Sequence, residues 1–420
     1  MSREMKHSGA AWIGNIPKHW DVGRYKFCGT MEKGKLPSET NIEGKGLPII
    51  GASEMNGKPP RQFTEEKLPM CTEQDILILW DGANAGLIAH GMCGIVSSTA
   101  VVLKRDTEKL NSDYLYYQLK SNETFFRDKV NGTTIPHMNS AYIDELPPLI
   151  PPLAEQQAIA DFLDKKCNEI DELVSLQEKM IEELKAYKQS VITEAVCKGL
   201  NPNAPMKDSE VEWIGDIPEG WKVMKIKHLA SVVRGGSPRP AGDPQYYEGN
   251  IPFMKVADIT KDDNIFVNDC EYTIKEAGLS HTRMIEPHTL LLTNSGATLG
   301  VPKINTFKTT FNDGIAAFLD LDKSLDIYFA YYSLKARTKY FLDSASLGIG
   351  QPNLNTDIIG STYLAIPHIE EQYDIVEFLN TKCSEIDQLI SIKQQKIVEL
   401  KDYKKSLIYE YTTGKKEVKL

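Results

Sequence analysis

The sequence predicts an α+β protein with two mixed α/β domains and two long helices, arranged as a pseudo-two-fold internal repeat. Two observations support this. The nonapeptide WIGNIPKHW at residues 12–20 returns as WIGDIPEGW at residues 213–221. In addition, segments 151–190 and 367–406 are identical at 20 of 40 positions at a fixed offset of 216. Long repeats of this kind indicate a duplicated structural unit.

The repeated segments predict long helices that pair with each other. In each, apolar residues recur in two seven-residue series offset by four positions, which is the pattern of a coiled coil. Neither segment contains Pro or Gly between its opening prolines and the glycines at 199 and 414. The alternative is a pair of unrelated amphipathic helices, each packed on its own domain. The predicted seam residues are Ile159, Leu163, Ile170, Leu173, Leu184, Ile375, Leu379, Ile386, Leu389 and Leu400.

Each Trp-containing nonapeptide opens a region of mixed α/β pattern. Strand-like apolar runs include LPIIGA at 47–52, DILILW at 75–80, GIVSSTAVVL at 94–103, IPFMKVADI at 251–259 and TLLLTNSG at 289–296. Helical patterns follow at 112–128 and 326–343. We therefore divide the chain into a first domain at 1–150, a first helix at 151–200, a second domain at 201–366, a second helix at 367–414 and a tail at 415–420.

Composition excludes several classes of protein. The hydrophobic content of 41% and charged content of 25% are those of a globular protein. No run of 18 apolar residues is present, and the N-terminal residues lack the apolar segment of a signal peptide, so we expect a cytoplasmic protein without a membrane partner. The seven cysteines form no CxxC pair, which argues against both a disulfide framework and a metal site.

The formal net charge of −10 argues against a polyanionic partner, but the charge is unevenly distributed. Residues 151–210 alone carry 7 basic and 12 acidic side chains. Residues 220–242, in contrast, contain no acid and hold Lys222, Lys225, Lys227, Arg234 and Arg239. Nucleic-acid binding needs a basic surface of this local kind. The charge distribution therefore permits a DNA partner.

Motifs of catalysis are missing from the sequence. There is no GxxxxGK[ST] phosphate loop, HExxH or GxSxG motif, and no glycine-rich turn of the dinucleotide or adenosylmethionine type. No NPPY-like tetrapeptide is present. We therefore predict that this chain has no catalytic residues, no metal site and no bound cofactor.

Two pairs of polar loops occupy matching places in the two regions. WDGANAG at 80–86 and TNSGATLG at 293–300 each follow an apolar strand, and NGTTIPHMN at 131–139 aligns with LGIGQPNLN at 347–355. Asn side chains and backbone amides in such turns can bind phosphates or base edges, although each residue alone can equally be a turn former. With nearby basic residues, the DNA-binding candidates are Lys33, Lys35, Asp81, Asn84, Thr133, Thr134, His137, Lys225, Lys227, Arg234, Arg239, Asn294, Ser295, Thr298, Gln351 and Asn353.

Over residues 8–414, the order of Trp turn, variable region and PPLAEQQ-type helix, followed by a second such set, resembles the DNA-specificity subunits of type I restriction–modification systems. The strings WIGNIPKHW, WIGDIPEGW and AEQQAIADFLD carry the likeness. The resemblance implies that each variable region is a target recognition domain for one half of a bipartite gapped site in double-stranded DNA. It also implies that the helices pair antiparallel and that their length sets the spacer.

The resemblance further implies the partners. Two modification (adenine methyltransferase) subunits would dock on the chain and bind S-adenosylmethionine. Two restriction subunits, acting as translocases, would use ATP and Mg²⁺. The chain itself would be non-catalytic.

Three alternatives stay open at this point. A self-contained methyltransferase would need the cofactor loop that the sequence lacks. A two-domain coiled-coil scaffold that binds protein partners is compatible with the repeat and the acidic charge. A salt titration of DNA binding with the modification subunit present would separate it from the main hypothesis. The chain could also be an inactive or recombined allele that exchanges variable regions.

Overall fold

The computed structural model describes residues 3–10, 13–105, 108–130, 136–296, 298–346 and 353–418. The chain forms two compact units. Unit 1 combines Met1–Glu178 with Gln394–Leu420, and unit 2 is Lys179–Lys393. Each unit therefore contains one domain, the first half of one long helix and the second half of the other.

Unit 1 contains short strands, short helices and the start of the first long helix. The strands are β1 Met5–His7, β2 Asn15–Pro17, β3 Asp21–Val22, β4 Gly29–Lys33, β5 Leu47–Ile50, β6 Phe63–Thr64, β7 Met70–Cys71, β8 Ile76–Leu79, β9 Ile88–Ala89, β10 Gly94–Val96, β11 Ala100–Arg105 and β12 Leu149–Ile150. The helices are α1 Ala52–Met55, α2 Ser112–Ser121, α3 Glu123–Val130, α4 Ser140–Asp144 and the long α5 Leu153–Lys198.

Two four-stranded sheets, with orders β4-β11-β8-β9 and β6-β5-β10-β7, form the body of the first domain, and β1-β2 and β12-β3 form two small ladders. The apolar run at β8 is buried on both faces. Ile76 and Ile78 belong to the hydrophobic cluster that includes residues of α2 and α3, whereas Leu77 and Leu79 belong to the cluster around Met55 and Cys71. This division follows the two-residue period of a strand.

Unit 2 repeats this plan. Its strands are β13 Met206–Asp208, β14 Asp216–Pro218, β15 Lys222–Lys225, β16 Ser231–Arg234, β17 Tyr247–Met254, β18 Phe266–Val267, β19 Tyr272–Ile274, β20 Arg283–Ile285, β21 Leu290–Thr293, β22 Pro302–Asn305, β23 Thr309–Phe311, β24 Ile315–Leu319 and β25 Tyr363–Ile366. Its helices are α6 Val256–Thr260, α7 Ile327–Lys335, α8 Thr338–Ser346, α9 Thr356–Ser361 and the long α10 Ile369–Thr412.

The sheets of unit 2 match those of unit 1. The order β16-β24-β21-β22-β18 corresponds to β4-β11-β8-β9 with an added edge strand, and β19-β17-β23-β20 corresponds to β6-β5-β10-β7. The ladders β13-β14 and β15-β25 correspond to β1-β2 and β3-β12. The predicted fold class, two mixed α/β domains with a pseudo-two-fold repeat, is confirmed.

Three predicted elements are interrupted. The run GIVSSTAVVL forms two strands, β10 and β11, because a turn closed by Ala100 N–H donating to Ser97 C=O at 3.0 Å separates them. Each predicted domain helix is likewise two helices, α2 with α3 and α7 with α8, with the breaks at Asn122 and at Ala336–Arg337.

The long helices pair antiparallel within each unit. In unit 1, Lys404 Nζ lies 2.6 Å from Asp171 and Lys401 Nζ lies 3.8 Å from Glu178. Residue numbers therefore decrease along α10 as they increase along α5, which means that the helices are antiparallel. In unit 2, Lys188 Nζ donates to both carboxylate oxygens of Asp387 at 2.7 Å. The predicted intramolecular coiled coil is therefore confirmed, including its direction.

The register of the seam differs from the prediction. Leu163, Ile170, Leu379 and Ile386 are buried and Leu184 and Leu400 are half-buried, as predicted. Leu173 and Leu389, however, are each 46% exposed. The first buried series runs one residue later, through Ala160, Cys167, Val174 and Ile181 on α5 and through Val376 and Cys383 on α10.

The domains account for this shift. Ile159 is buried, but its cluster also contains Trp20 and Leu149, and Ile375 belongs to the cluster of the second domain. These two residues therefore pack on their domains at the start of each helix. Counting heptads from them displaces the predicted series by one position.

Each Trp turn lies where two helix ends meet within one unit. Trp20 is buried, and a Cβ on Gly414, just after α10, would come within 2.4 Å of Pro17. In unit 2, a Cβ on Gly199, just after α5, would come within 3.2 Å of Trp221. The first Trp of the first nonapeptide, Trp12, lies outside the described residues.

Over the residues that are described, no helix has the length and apolarity needed to cross a membrane.

Candidate nucleic-acid interface

The two polar loops that the sequence singles out in each domain lie side by side. Asp81 and His137 form an isolated antiparallel bridge, and so do Ser295 and Asn353. The surrounding bonds match: Trp80 N–H donates to Thr99 C=O as Asn294 N–H donates to Gly314 C=O. Trp80 C=O accepts from Met138 as Asn294 C=O accepts from Leu354. Trp80 in the first domain is therefore structurally equivalent to Asn294 in the second domain, and Asp81 is equivalent to Ser295.

Glycines fix the shape of the first loop. Gly82 and Gly296 have φ of 99° and 86°, and Gly86 and Gly300 have φ of 91° and 84°. The left-handed region disfavours any residue with a Cβ. A Cβ on Gly86 would also lie 2.9 Å from Phe126 Cβ, and one on Gly300 would lie 3.0 Å from Phe341 Cβ.

A basic residue ends the neighbouring strand in each domain. Lys33 ends β4 and pairs with Val101, and Arg234 ends β16 and pairs with Ala316, the position equivalent to Val101. The next residue is glycine in both cases, because a Cβ there would come within 2.2 Å of the Ser97 or Asn312 carbonyl oxygen. We call this strand end and the residues just after it, together with the two loops and the turn before the facing strand (β11 or β24), the recognition face of each domain.

In the first domain, ion pairs connect the parts of the recognition face. Lys33 Nζ lies 3.0 Å from Asp81 Oδ2, and His137 Nδ1 bonds Asp81 Oδ1. Partial burial disfavours the charge of Asp81. The hydrogen bonds from His137 and Lys33 outweigh that effect and hold the pKa of Asp81 below its ordinary value. The ring of Trp80 meets His137 edge-on at 6.3 Å.

In the second domain, the acidic residue that contacts the basic side chains of the recognition face is Asp313. Its carbonyl accepts from Arg234 Nε at 2.6 Å, one carboxylate oxygen accepts from Ser237 at 2.8 Å, and the other lies 3.5 Å from Arg239. Arg283 Nε in turn donates to the Arg234 carbonyl at 3.1 Å. The sequence-based candidates omit Asp313 and Arg283. The Asn312–Gly314 turn, NDG after an apolar strand, is the signal that could have identified Asp313.

The remaining candidates fall in several places. Lys35, Asn84 and Thr298 are exposed on the recognition faces. Lys225 lies over the Tyr363 ring at 5.0 Å on the separate β15-β25 ladder, and Lys227 is exposed just beyond that strand. Thr133, Thr134 and Gln351 lie outside the described residues.

The prediction that Asn294 contacts DNA is wrong. Asn294 is fully buried, and neither its Nδ2 nor its Oδ1 has a hydrogen-bond partner. It occupies the position of Trp80, one residue before the exposed bridge position, so its side chain points inwards. Ser295 and Asn353, at the bridge, are accessible to solvent instead.

The recognition faces offer cations, amides and hydroxyls on an open surface. Such groups can contact phosphates and base edges. Among the residues that are described, no three His, Cys, Asp or Glu side chains lie close enough together to hold a metal ion.

The family model of the type I restriction modification DNA specificity domain matches residues 17–186 and 218–402, each match covering one domain and much of the helix after it. The chain belongs to this family. It is a specificity subunit, and each of its variable regions is a target recognition domain.

Relatives and solved structures agree with this assignment. The MjaVIII specificity subunit of a type I restriction enzyme from Methanocaldococcus jannaschii is 28% identical over 96% of this chain and 94% of its own length. A chain from a structural study of complex assembly in a type I restriction–modification system has a TM-score of 0.70 at 18% identity, with 94% and 98% covered. The HsdS subunit from Thermoanaerobacter tengcongensis has a TM-score of 0.50, also at 18% identity, with 95% and 98% covered.

Proposed function

We propose that this specificity subunit reads a bipartite gapped DNA sequence through its two recognition faces, while partner subunits supply all of the chemistry. The observation that carries the proposal is the duplicated face: the same strand end, glycine corner and bridged loops occur in both domains, with different side chains at the exposed positions. Lys33 corresponds to Arg234, Asp81 to Ser295 and His137 to Asn353. A conserved framework with changed surface residues suits two domains that read different half-sites.

A second duplicated feature supports the proposed partners. Leu173, Leu176 and Tyr403 in unit 1 are 46%, 51% and 53% exposed, and their equivalents Leu389, Ile392 and Tyr187 in unit 2 are 46%, 63% and 57% exposed. Apolar side chains that are exposed together mark interaction sites, and residues three apart on a helix, such as Leu173 and Leu176, lie on the same face. Because the set occurs once in each unit, it supports docking of two copies of one partner, the modification subunit.

In the proposed assembly the specificity subunit binds no cofactor. S-adenosylmethionine would be bound by the two modification subunits, which would methylate adenine, and ATP with Mg²⁺ by two restriction subunits. The chain would contribute the choice of DNA sequence and the docking surfaces.

The test uses the full chain with its modification subunit. Methylome sequencing of a host that carries both supplies the cognate site. Lys33→Ala and Arg234→Ala are then compared with the wild type in salt titrations of binding to that duplex. Each variant is expected to weaken binding and to reduce the slope of log K against log salt by about 1, because one phosphate contact is lost.

Matched controls are Lys104→Ala and Lys308→Ala. Lys104 pairs with Glu32 towards the far end of β11, and Lys308 pairs with Glu286 at the end of β23 away from Asp313. These variants remove the same charge from the same domains. If they weaken DNA binding as much as Lys33→Ala and Arg234→Ala do, the recognition faces are not the DNA-binding surfaces.

A further inference from the structure

A carboxylate lies against the basic side chains of both recognition faces, and the two carboxylates come from different positions. In the first domain Asp81, on the bridged loop, pairs with Lys33. In the second domain Asp313, on the turn between β23 and β24, pairs with Arg239 and accepts from Arg234 through its carbonyl. The position equivalent to Asp81 is Ser295, and the position equivalent to Asp313 is Ser98. Duplication alone therefore does not explain why each face has its acid.

These acids contribute little to the fold. The Lys33 and Asp81 side chains are 51% and 31% exposed, and those of Arg239 and Asp313 are 71% and 41% exposed. Ion pairs this open to solvent stabilise a protein very little. A carboxylate beside a DNA-binding cation also repels phosphate, so a protein that only needed affinity would gain by lacking it.

We propose that Asp81 and Asp313 are specificity-determining residues, each of which restrains the cations of its recognition face in free protein and accepts a hydrogen bond from cytosine N4 in the cognate complex. This inference rests on the proposed function. DNA binding draws Lys33 or Arg239 towards a phosphate and breaks its pair with the acid. On the cognate sequence the released carboxylate finds a cytosine amino group, which is the base-edge donor that Asp accepts best.

On a non-cognate sequence the carboxylate oxygen that loses its cation is left without a donor, close to phosphate oxygens and base acceptors, while His137 or Ser237 stays bonded to the other oxygen. Unfavourable contacts of this kind discriminate against the wrong partner. The acids therefore lower affinity for non-cognate DNA, whose binding depends on phosphate contacts, and leave cognate binding intact.

The experiment measures Kd for the complex of full chain and modification subunit. The probes are the cognate duplex from methylome sequencing and a set of duplexes with each cytosine-containing base pair replaced in turn. Asp81→Asn and Asp313→Asn keep the shape of the side chain and remove its charge. Asp81→Ser and Asp313→Ser introduce the residue that the other domain has at the equivalent position, so the framework is known to accept it.

Each variant is expected to bind non-cognate DNA several-fold more tightly and to lose roughly ten-fold discrimination at one base pair. The affected base pair should lie in one half-site for the Asp81 variants and in the other half-site for the Asp313 variants. The matched controls, Glu32→Gln and Glu286→Gln, remove one negative charge from the same domains. Glu32 precedes Lys33 on β4 but points to the opposite face of the strand, and the controls should leave discrimination unchanged.

Two outcomes would overturn the inference. One is unchanged discrimination in the Asp81 and Asp313 variants while Lys33→Ala and Arg234→Ala still weaken binding, which would leave the proposed function standing. The other is an equal loss of discrimination in the Glu32 and Glu286 controls, which would assign the effect to net charge. If Lys33→Ala and Arg234→Ala also have no effect on binding, the proposed function itself fails.

Discussion

Trp20 and Glu155 are joined by a hydrogen bond from the indole Nε1 to the carboxylate Oε2 at 3.1 Å. The same bond joins Trp221 to Glu371 at 3.0 Å. In each unit it ties the Trp turn that opens a domain to the first turn of the long helix that follows that domain. The repeated nonapeptide and the repeated helix are thus two sides of one contact, formed twice.

Glu155→Gln is expected to reduce the acid sensitivity of unit 1. Burial opposes the charge of Glu155, but hydrogen bonds from His19, Arg3 and Trp20 hold the pKa of its carboxyl below the ordinary value of 4.5. The depressed pKa contributes stability that is fully present above about 4.5 and is lost as pH falls through the lower folded-state pKa. Urea unfolding at pH 7 and at decreasing pH measures this.

At pH 7 the Glu155→Gln substitution is expected to cost about 1–3 kcal/mol, because hydrogen bonds to a charged group are lost. Glu371→Gln is the matched control, since it alters the same Trp contact in unit 2. A Glu155→Gln protein that loses stability on acidification as steeply as the wild type would contradict the assignment.

The loop glycines differ in what an added methyl group meets. Gly86→Ala and Gly300→Ala would combine a left-handed backbone with a clash against Phe126 or Phe341. Gly82→Ala and Gly296→Ala would meet backbone strain alone, since nothing lies within 4 Å of the added Cβ. We expect the first pair to be more destabilising by about 1–3 kcal/mol, the usual cost of overpacking. Equal free energies of unfolding for the two pairs would argue against the packing at the loop ends.

The corrected seam register separates two neighbouring residues. Val174→Ala is expected to cost about 1–3 kcal/mol, because Val174 is buried in the cluster of Ile170 and Leu407. Leu173→Ala is expected to change stability by under about 0.5 kcal/mol, because the side chain is exposed. It should instead weaken binding of the modification subunit, as measured by titration calorimetry. The reverse ranking in stability would restore the register predicted from the sequence.

DNA affinity is expected to depend on the modification subunit. A chain with a net charge of −10 is repelled overall by the DNA polyanion, so the isolated protein should bind its site weakly, and added salt should weaken the binding further because it depends on phosphate contacts. Adding the modification subunit should tighten binding sharply, because the partner supplies further phosphate contacts. Equally tight binding by the chain alone at the same salt concentration would contradict this expectation.

The sequence predicted which loops form the recognition faces better than it predicted the contacts that their side chains make. It identified which loops of the two domains are equivalent, but it did not predict that the two loops of each domain meet, as the bridges Asp81–His137 and Ser295–Asn353 show they do. It did not identify Asp313, whose role depends on a turn that the fold brings next to Arg234 and Arg239. It also placed Asn294 at the surface. The equivalence of Asn294 and Trp80, which explains why the Asn294 side chain is internal, depends on backbone hydrogen bonds that only the structure shows.

Duplication and periodicity are properties of the chain itself, so the sequence alone determined the two-domain repeat, the long helices and their pairing. The tertiary structure decided which helix face forms the seam and which loop residues reach solvent. The sequence of α5 allows two adjacent seven-residue series that differ by one position, and the buried one begins at Ala160 because Ile159 packs with Trp20 and Leu149 of the domain. In the same way, whether Asp81 or Asp313 faces a cation is determined by segments distant in sequence, which only the folded chain brings together.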